Sequence, residues 1–262
     1  MVTIPAKVKT RLSEHVKKFQ PIVLKAQAKD INESDTVTII SDILSDVFGY
    51  DKYTEITSEF AIKKTYCDLA IKLDGTPKLL IECKAAGLDL KDQHIRQAVD
   101  YGANSGVEWV ILTNSVIWKV YSITFGKPVS AELVYEFDLS TVNPKKQSDL
   151  EELYYLTRES MTKGNKSSLD EFHIQQQLVN RFTISQILVA DPVLDVIRRT
   201  IRKMSSDAKV SNEEIEKIIV EEIIKRDILD DERTADAKKK VAKALKPAAK
   251  PAAPAPAQPA AE

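Results

Sequence analysis

Apolar residues recur along this chain with two different periods, and the switches between them divide it. From residue 6 to 48 the period is helical. Leu12, Val16, Phe19 and Val23 fall three or four positions apart, the spacing of one helix face. Pro21 lies inside that stripe and, lacking an N–H, is expected to break or kink the helix. A second stripe of Ile40, Ile43, Leu44 and Val47 stops at Gly49, the residue type that most readily closes a helix in the left-handed conformation.

Between residues 53 and 138 the period falls mostly to two. Cys67, Leu69, Ile71 and Leu73 alternate with Tyr66, Asp68, Ala70 and Lys72. Leu79, Ile81 and Cys83 alternate with Leu80, Glu82 and Lys84, and Asp74-Gly75 between the two runs is a strong hairpin signal. A helix is predicted over 91–104, then strands over 108–113, 116–121 and 129–137. In the last of these Val129, Ala131, Leu133, Tyr135 and Phe137 alternate cleanly. Helix, strands, helix, strands predicts an α/β fold, a mixed central sheet flanked by helices.

Residues 148–230 return to helix. Asp191-Pro192 reads as an N-cap and first helical residue, with Val193, Ile197, Ile201 and Met204 buried behind it. Ser211 and Glu214 read as a capping box before a face of Ile215, Ile218, Ile219, Ile223 and Ile224. Two such amphipathic helices can pack on the core, pair as a hairpin, form a helix-turn-helix, or contact a second copy or a partner subunit. The final sixteen residues hold five prolines and eight alanines, so a disordered, solvated tail is expected. The chain thus divides into an N-terminal helical arm (1–31), an α/β domain (32–147), a helical C-terminal region (148–232) and a basic, then Ala/Pro-rich tail (233–262).

Composition changes this picture little. With 38 Lys+Arg against 39 Asp+Glu the net charge is −1, so any field must come from local clusters. Residues 1–29 carry seven basic and one acidic side chain, and 30–60 carry one basic and eight acidic. Two cysteines, Cys67 and Cys83, exclude a disulfide scaffold and a CxxC zinc site. No run approaches the roughly 18 apolar residues of a membrane helix. The N-terminus lacks the apolar run of a signal peptide, so no membrane association and a cytoplasmic location are expected.

Chemistry is best sought on the hairpin. Acidic-x-Lys occurs four times in the chain, at 82–84, 89–91, 207–209 and 236–238, and the pattern alone carries little. Only Glu82 and Lys84 sit at i and i+2 of an apolar strand, where both point off one face while Cys83 points inward. Asp68 has the same phase on the preceding strand. If the strands pair, two carboxylates and an ammonium converge on a half-solvated face. Such carboxylates supply hard oxygen ligands for Mg²⁺, with the Cys83 carbonyl as a further donor and Lys84 beside the metal's water. The same three residues equally make a cross-strand salt bridge. Gln97 and Tyr101, one turn apart on the following helix, can steady a carboxylate, the lysine or a phosphate, or be ordinary surface residues.

Together these pieces resemble the PD-(D/E)xK nuclease superfamily, most closely the N-terminal nuclease domain of type I restriction enzyme R subunits and its stand-alone relatives. The matching features lie between Asn32 and Leu139. They are Asn32-Glu33 opening a helix, Gly49-Tyr50 closing it, Asp68, Glu82-Cys83-Lys84, Gln97-x-x-x-Tyr101 and the run VILTNSVIWKVY. The resemblance implies a restriction-endonuclease-like fold with Asp68 and Glu82 as metal ligands and Lys84 as the catalytic lysine. Gln97 and Tyr101 would be the helix motif, and Glu33 a helix carboxylate facing the site. It implies a Mg²⁺-dependent endonuclease of restriction or defence type, with Mn²⁺ as a substitute and DNA as partner.

This sequence departs from the pattern in places. Cys67 stands where the superfamily name has Pro, and Ser115 follows Asn114 where relatives often have Gly. No GxxxxGK[ST] loop exists, since Gly164-Asn165-Lys166-Ser167 lacks its spacing, so translocation by the chain unaided is not expected. Grip on DNA would fall to the basic arm 1–29, to Lys63, Lys64, Lys72 and Lys91, or to the tail. A non-catalytic nuclease-like module that binds DNA or protein, and a helical adaptor, are the competing readings.

Overall fold

A computed structural model describes residues 2–62, 65–164, 166–205 and 208–245, with all their side chains except those of 59–62, 65–66, 92 and 97. Lys63, Lys64 and the tail from Lys246 onward therefore lie outside the described residues. The chain forms two compact units, Met1–His173 and Ile174–Glu262.

The first unit is built on a six-stranded sheet in sequential order: β1 (Ile56–Ile62), β2 (Thr65–Leu73), β3 (Thr76–Cys83), β4 (Trp109–Thr113), β5 (Ile117–Thr124) and β6 (Ser130–Asp138). All neighbours run antiparallel except β3 and β4, which are parallel. Their crossover holds a 3₁₀ turn (Asp92–Ile95) and helix α3 (Arg96–Ser105), as a parallel pair requires. The mixed α/β class read from the sequence is the one found, though β1 was not marked as a strand of its own.

Helices α1 (Ala6–Ala28) and α2 (Glu33–Asp46) cover one face. Leu12, Val16, Phe19 and Val23 are all buried with Ile40, Leu69, Ile81 and Trp118, each contributing about 1.5–3 kcal/mol by burial. Pro21 neither breaks nor ends α1. Pro21 and Lys17, the residue whose carbonyl loses its helical donor, both lie on the exposed side, where water replaces the missing bond. Asn32 caps α2 by accepting from the Asp35 N–H at 2.9 Å.

Gly49 follows α2 with φ +83°, in the left-handed region expected of it. Here the cap is completed by another helix. Arg11 of α1 donates from Nε to Val47 O at 3.1 Å and from Nη2 to Phe48 O at 3.2 Å.

The opposite face packs on α3 through Cys67, Ala70, Leu80, Ala98, Tyr101 and Leu112. Two expectations from strict alternation need correction. Cys67 is buried with this cluster, not with Leu69 and Ile71, and its thiol donates to the Ile81 carbonyl at 3.2 Å. On β6, Val134 is buried whereas Ala131 and Leu133 are exposed. The register against β5 slips between Val120 and Tyr121, which pair with Tyr135 and Leu133. That bulge adds Val134 and reverses the phase of every residue before it.

Helices α4 (Gln147–Tyr154), α5 (Arg158–Met161) and α6 (Ser168–Leu178) follow the sheet. Leu150, Leu153 and Leu169 join the α1/α2 cluster, and Trp109 Nε1 donates to Asp170 Oδ1 at 2.8 Å.

The second unit contains α7 (Arg181–Leu188), α8 (Asp191–Met204), α9 (Asn212–Ile218), α10 (Arg226–Leu229) and α11 (Glu232–Ala244), around Leu194, Ile215, Ile219 and Ile224. The capping box of Ser211 and Glu214 is present. Ala190, not Asp191, is the N-cap of α8, and Leu194 is its buried residue while Met204 is exposed. After α9 the chain makes a π turn over Ile219–Ile223. Ile218, at the end of α9, and Ile223, at the end of the π turn, are both exposed, so the five isoleucines do not share one buried face. Among the described residues no helix is long and apolar enough to cross a membrane.

Candidate functional site

The β2–β3 hairpin turns at Asp74 and Gly75, both at positive φ, the signature of a type I′ turn whose twist matches that of its strands. Leu69 pairs with Ile81 and Ala70 with Leu80. One further step of that antiparallel register sets Asp68 across from Glu82. Where the ladder ends, the Asp68 carboxylate takes over: its Oδ2 accepts from the Cys83 N–H at 2.7 Å. Glu82 was expected on a half-solvated face and is instead buried, with a side-chain exposure of 8%. The helix α3 covers that side of the sheet, which alternation on β3 alone does not show.

Lys84 closes the group. Its Nζ donates to Glu82 Oε1 and to the Cys83 carbonyl, each at 2.7 Å, and lies 3.5 Å from Glu33 Oε2. Glu33 is the first residue of α2 and is exposed, so the structure brings the helix carboxylate to the hairpin's lysine. Burial pushes the Glu82 carboxyl above its usual range, against the pull of Lys84 and with the Asp68 charge adding to it. Asp68 is raised too, first by burial, although the Cys83 N–H and Lys84 favour its charge. Burial pulls Lys84 down, but its bond to Glu82 and the charges of Glu82, Glu33 and Asp68 outweigh that and leave it raised. Two costly carboxylates thus share one ammonium.

A loop holds this group in place, and sequence reasoning missed it. The Lys84 N–H donates to Thr113 O at 2.9 Å, fixing the strand end on β4. Asn114, almost fully buried, accepts from Val116 N–H and Ile117 N–H at 3.1 and 2.8 Å. Its Nδ2 reaches back to the carbonyl of Leu88 at 3.0 Å. Lys119 Nζ donates to Leu90 O at 3.3 Å. Gly87 packs so closely on Asp30 that a Cβ would stand 2.2 Å from its Oδ1. The segment leaving Lys84 is therefore tied to the β4–β5 turn and wedged against the turn before Glu33. The only sequence signal was Asn114 beside Ser115, read there as a turn.

The other two expected site residues lie on α3. Tyr101 is buried among Cys67, Ala70 and Leu80. The backbone of Gln97 belongs to the same helix, one turn earlier, and its side chain is outside the described set. Among the described residues no group of three or more His, Cys, Asp or Glu is arranged to hold a metal ion. The oxygen donors gathered here are two carboxylates and the Cys83 carbonyl, which suits a hard cation that keeps several waters.

Residues 38–135 match the family model of the type I restriction enzyme R protein N terminus. The matched stretch runs from within α2 to β6 and contains Asp68, Glu82, Lys84, Gln97 and Tyr101. It spans under half of the chain, leaving Glu33 and the whole second unit outside. Comparison with curated proteins and with solved structures found no match.

Proposed function

We propose that this chain is a Mg²⁺-dependent endonuclease that hydrolyses DNA phosphodiesters, in a restriction or defence role. The observation that supports it is the convergence of Asp68, Glu82 and Lys84 at the end of the β2–β3 hairpin, inside the stretch that matches a restriction-enzyme family. Asp68, Glu82 and the Cys83 carbonyl would hold the metal, a hard-oxygen set within the one or two carboxylates Mg²⁺ ordinarily takes from protein. When bound, the ion would polarise the scissile phosphate and acidify its water.

The chain's own residues would do the rest. Asp68, steadied by the Cys83 N–H, keeps its remaining oxygen in a fixed direction. Lys84, held by Glu82 and Cys83 O, places an ammonium where it can orient the attacking water or the phosphate. The half-buried setting makes each of these charges stronger than it would be in bulk water. Addition of water to phosphorus would break the bond to the 3′ oxygen and leave a 5′-phosphate. Gln97 and Tyr101, on the helix packed over this face, would steady the carboxylates.

The test is a cleavage assay on plasmid and linear DNA with Mg²⁺ or Mn²⁺, comparing the parent with Asp68→Ala and Glu82→Ala. Each variant is expected to lose cleavage while remaining folded by circular dichroism. Turnover like the parent's in either would refute the assignment, and DNA binding by a parent that never cleaves would leave the chain a non-catalytic module.

A further inference from the structure

The second unit carries a cationic cleft that the catalytic reading does not use. It lies between α8 and the start of α9, holds about 700 Å³, and is lined by Arg198, Arg202, Lys209 and Ser211, with Glu214. Arg198 and Arg202 are one helical turn apart on α8, so they stack along the same wall. Arg199 and Lys203 continue the charge on the adjoining face. Lys209 lies beyond the end of the helix.

Of the acidic groups nearby, Asp195 is in an ion pair with Arg198, while Glu214 lines the cleft, held by a backbone N–H that leaves its charge in place. Asp195 accepts from Arg198 Nη2 at 2.8 Å, and Glu214 Oε2 accepts from the Ser211 N–H at 2.9 Å. Arg198 Nε is buried without a partner. Among the described residues Arg202, Lys203 and Lys209 form no ion pair. Cations in the last turn of a helix are favoured by its dipole alone, which accounts for Arg202 and Lys203. It does not account for Lys209, which belongs to no helix and lines the same cleft.

We propose that this cleft grips the sugar–phosphate backbone of DNA. The proposal rests on the nuclease reading for its choice of polyanion and supplies that reading with a sequence-independent hold. An open cleft with two unpaired cations, Arg202 and Lys209, beside the partnerless Nε of Arg198 suits a repeating chain of phosphates, where each neutralised phosphate releases counterions.

The experiment is fluorescence anisotropy of the full-length chain with a labelled DNA duplex of mixed sequence, in EDTA so that no cleavage occurs, across a range of salt. Arg202→Glu combined with Lys209→Glu is expected to weaken binding about tenfold or more and to lower the salt slope by about two. Both side chains are solvent-facing, and a thermal melt confirms that the variant is folded. Lys238→Glu with Lys240→Glu on α11 makes the same charge change elsewhere and should cost clearly less. Unchanged affinity and slope in the cleft variant, or an equal loss in the α11 variant, would overturn the proposal. Loss of binding in the cleft variant from a parent that never cleaves would support the cleft while sinking the nuclease reading.

Discussion

The backbone N–H of Cys83 donates to Asp68 Oδ2 at 2.7 Å. A carboxylate thus continues the β2–β3 ladder one step past its last backbone pair. It holds Asp68 against the strand that carries Glu82 and ends at Lys84. Both carboxyl groups are raised by burial, so the site is kept charged at a cost to stability.

That cost has a direction. A carboxyl raised in the folded state binds its proton more tightly there than in the unfolded chain, so stability falls as pH rises from about 4 through the folded value. Asp68→Asn keeps an acceptor for the Cys83 N–H and removes the charge. Its melting temperature at pH 7 should equal or exceed the parent's, with the gain shrinking as pH approaches 4. Added Mg²⁺ should stabilise the parent, by about 2.7 kcal/mol at a hundredfold excess over its Kd, raising its melting point, and leave Asp68→Asn unmoved. A variant melting well below the parent at pH 7 would remove this account of the site.

Lys84→Arg separates catalysis from charge pairing. A guanidinium can satisfy Glu82, so the buried pair keeps its opposite charge and is not left half-broken. It stays protonated and points its donors in a planar fork, so it cannot replace an ammonium that positions water. Cleavage should fall at least about a hundredfold with stability nearly unchanged. A rate within a few-fold of the parent's would return Lys84 to a structural ion pair.

Asn114→Asp isolates one bond of the loop. The carboxylate still accepts from Val116 and Ile117 but has no donor for Leu88 O, at a cost of about 1–3 kcal/mol. Hydrogen exchange of the amides from 85 to 90 should quicken, and cleavage should fall with it. Exchange identical to the parent's would mean that the other contacts suffice to hold the loop.

Ser115 sits at φ +74°, and its buried hydroxyl has no partner. The left-handed conformation costs a non-glycine residue about 1–2 kcal/mol, and a buried unbonded hydroxyl adds to that. The greater freedom of glycine in the unfolded chain offsets about 0.5–1 kcal/mol. Ser115→Gly should therefore stabilise the protein by about 1 kcal/mol in urea titration. A lower midpoint would show that the serine hydroxyl is satisfied in solution.

The sequence by itself determined what depends on neighbours in the chain. The stripe of Leu12, Val16, Phe19 and Val23, the Asp74-Gly75 turn, the Gly49 stop and the Ser211–Glu214 box involve residues within a few positions of each other, where sterics and local hydrogen bonds decide. The pairing of Asp68 with the Glu82-x-Lys84 strand was legible too, because a two-residue turn fixes register. Tertiary structure decided the rest. Arg11 reaches the carbonyls of Val47 and Phe48 and the Glu159 carboxylate, 148 positions away, at 2.7 Å, a choice that no periodicity records. Whether Glu82 meets water or α3 depended on a helix formed later in the chain. The bulge at Val134 reversed a clean alternation, and Pro21 was tolerated because the carbonyl it fails to bond lies toward solvent. A period states which residues share a face, and only packing states what that face touches.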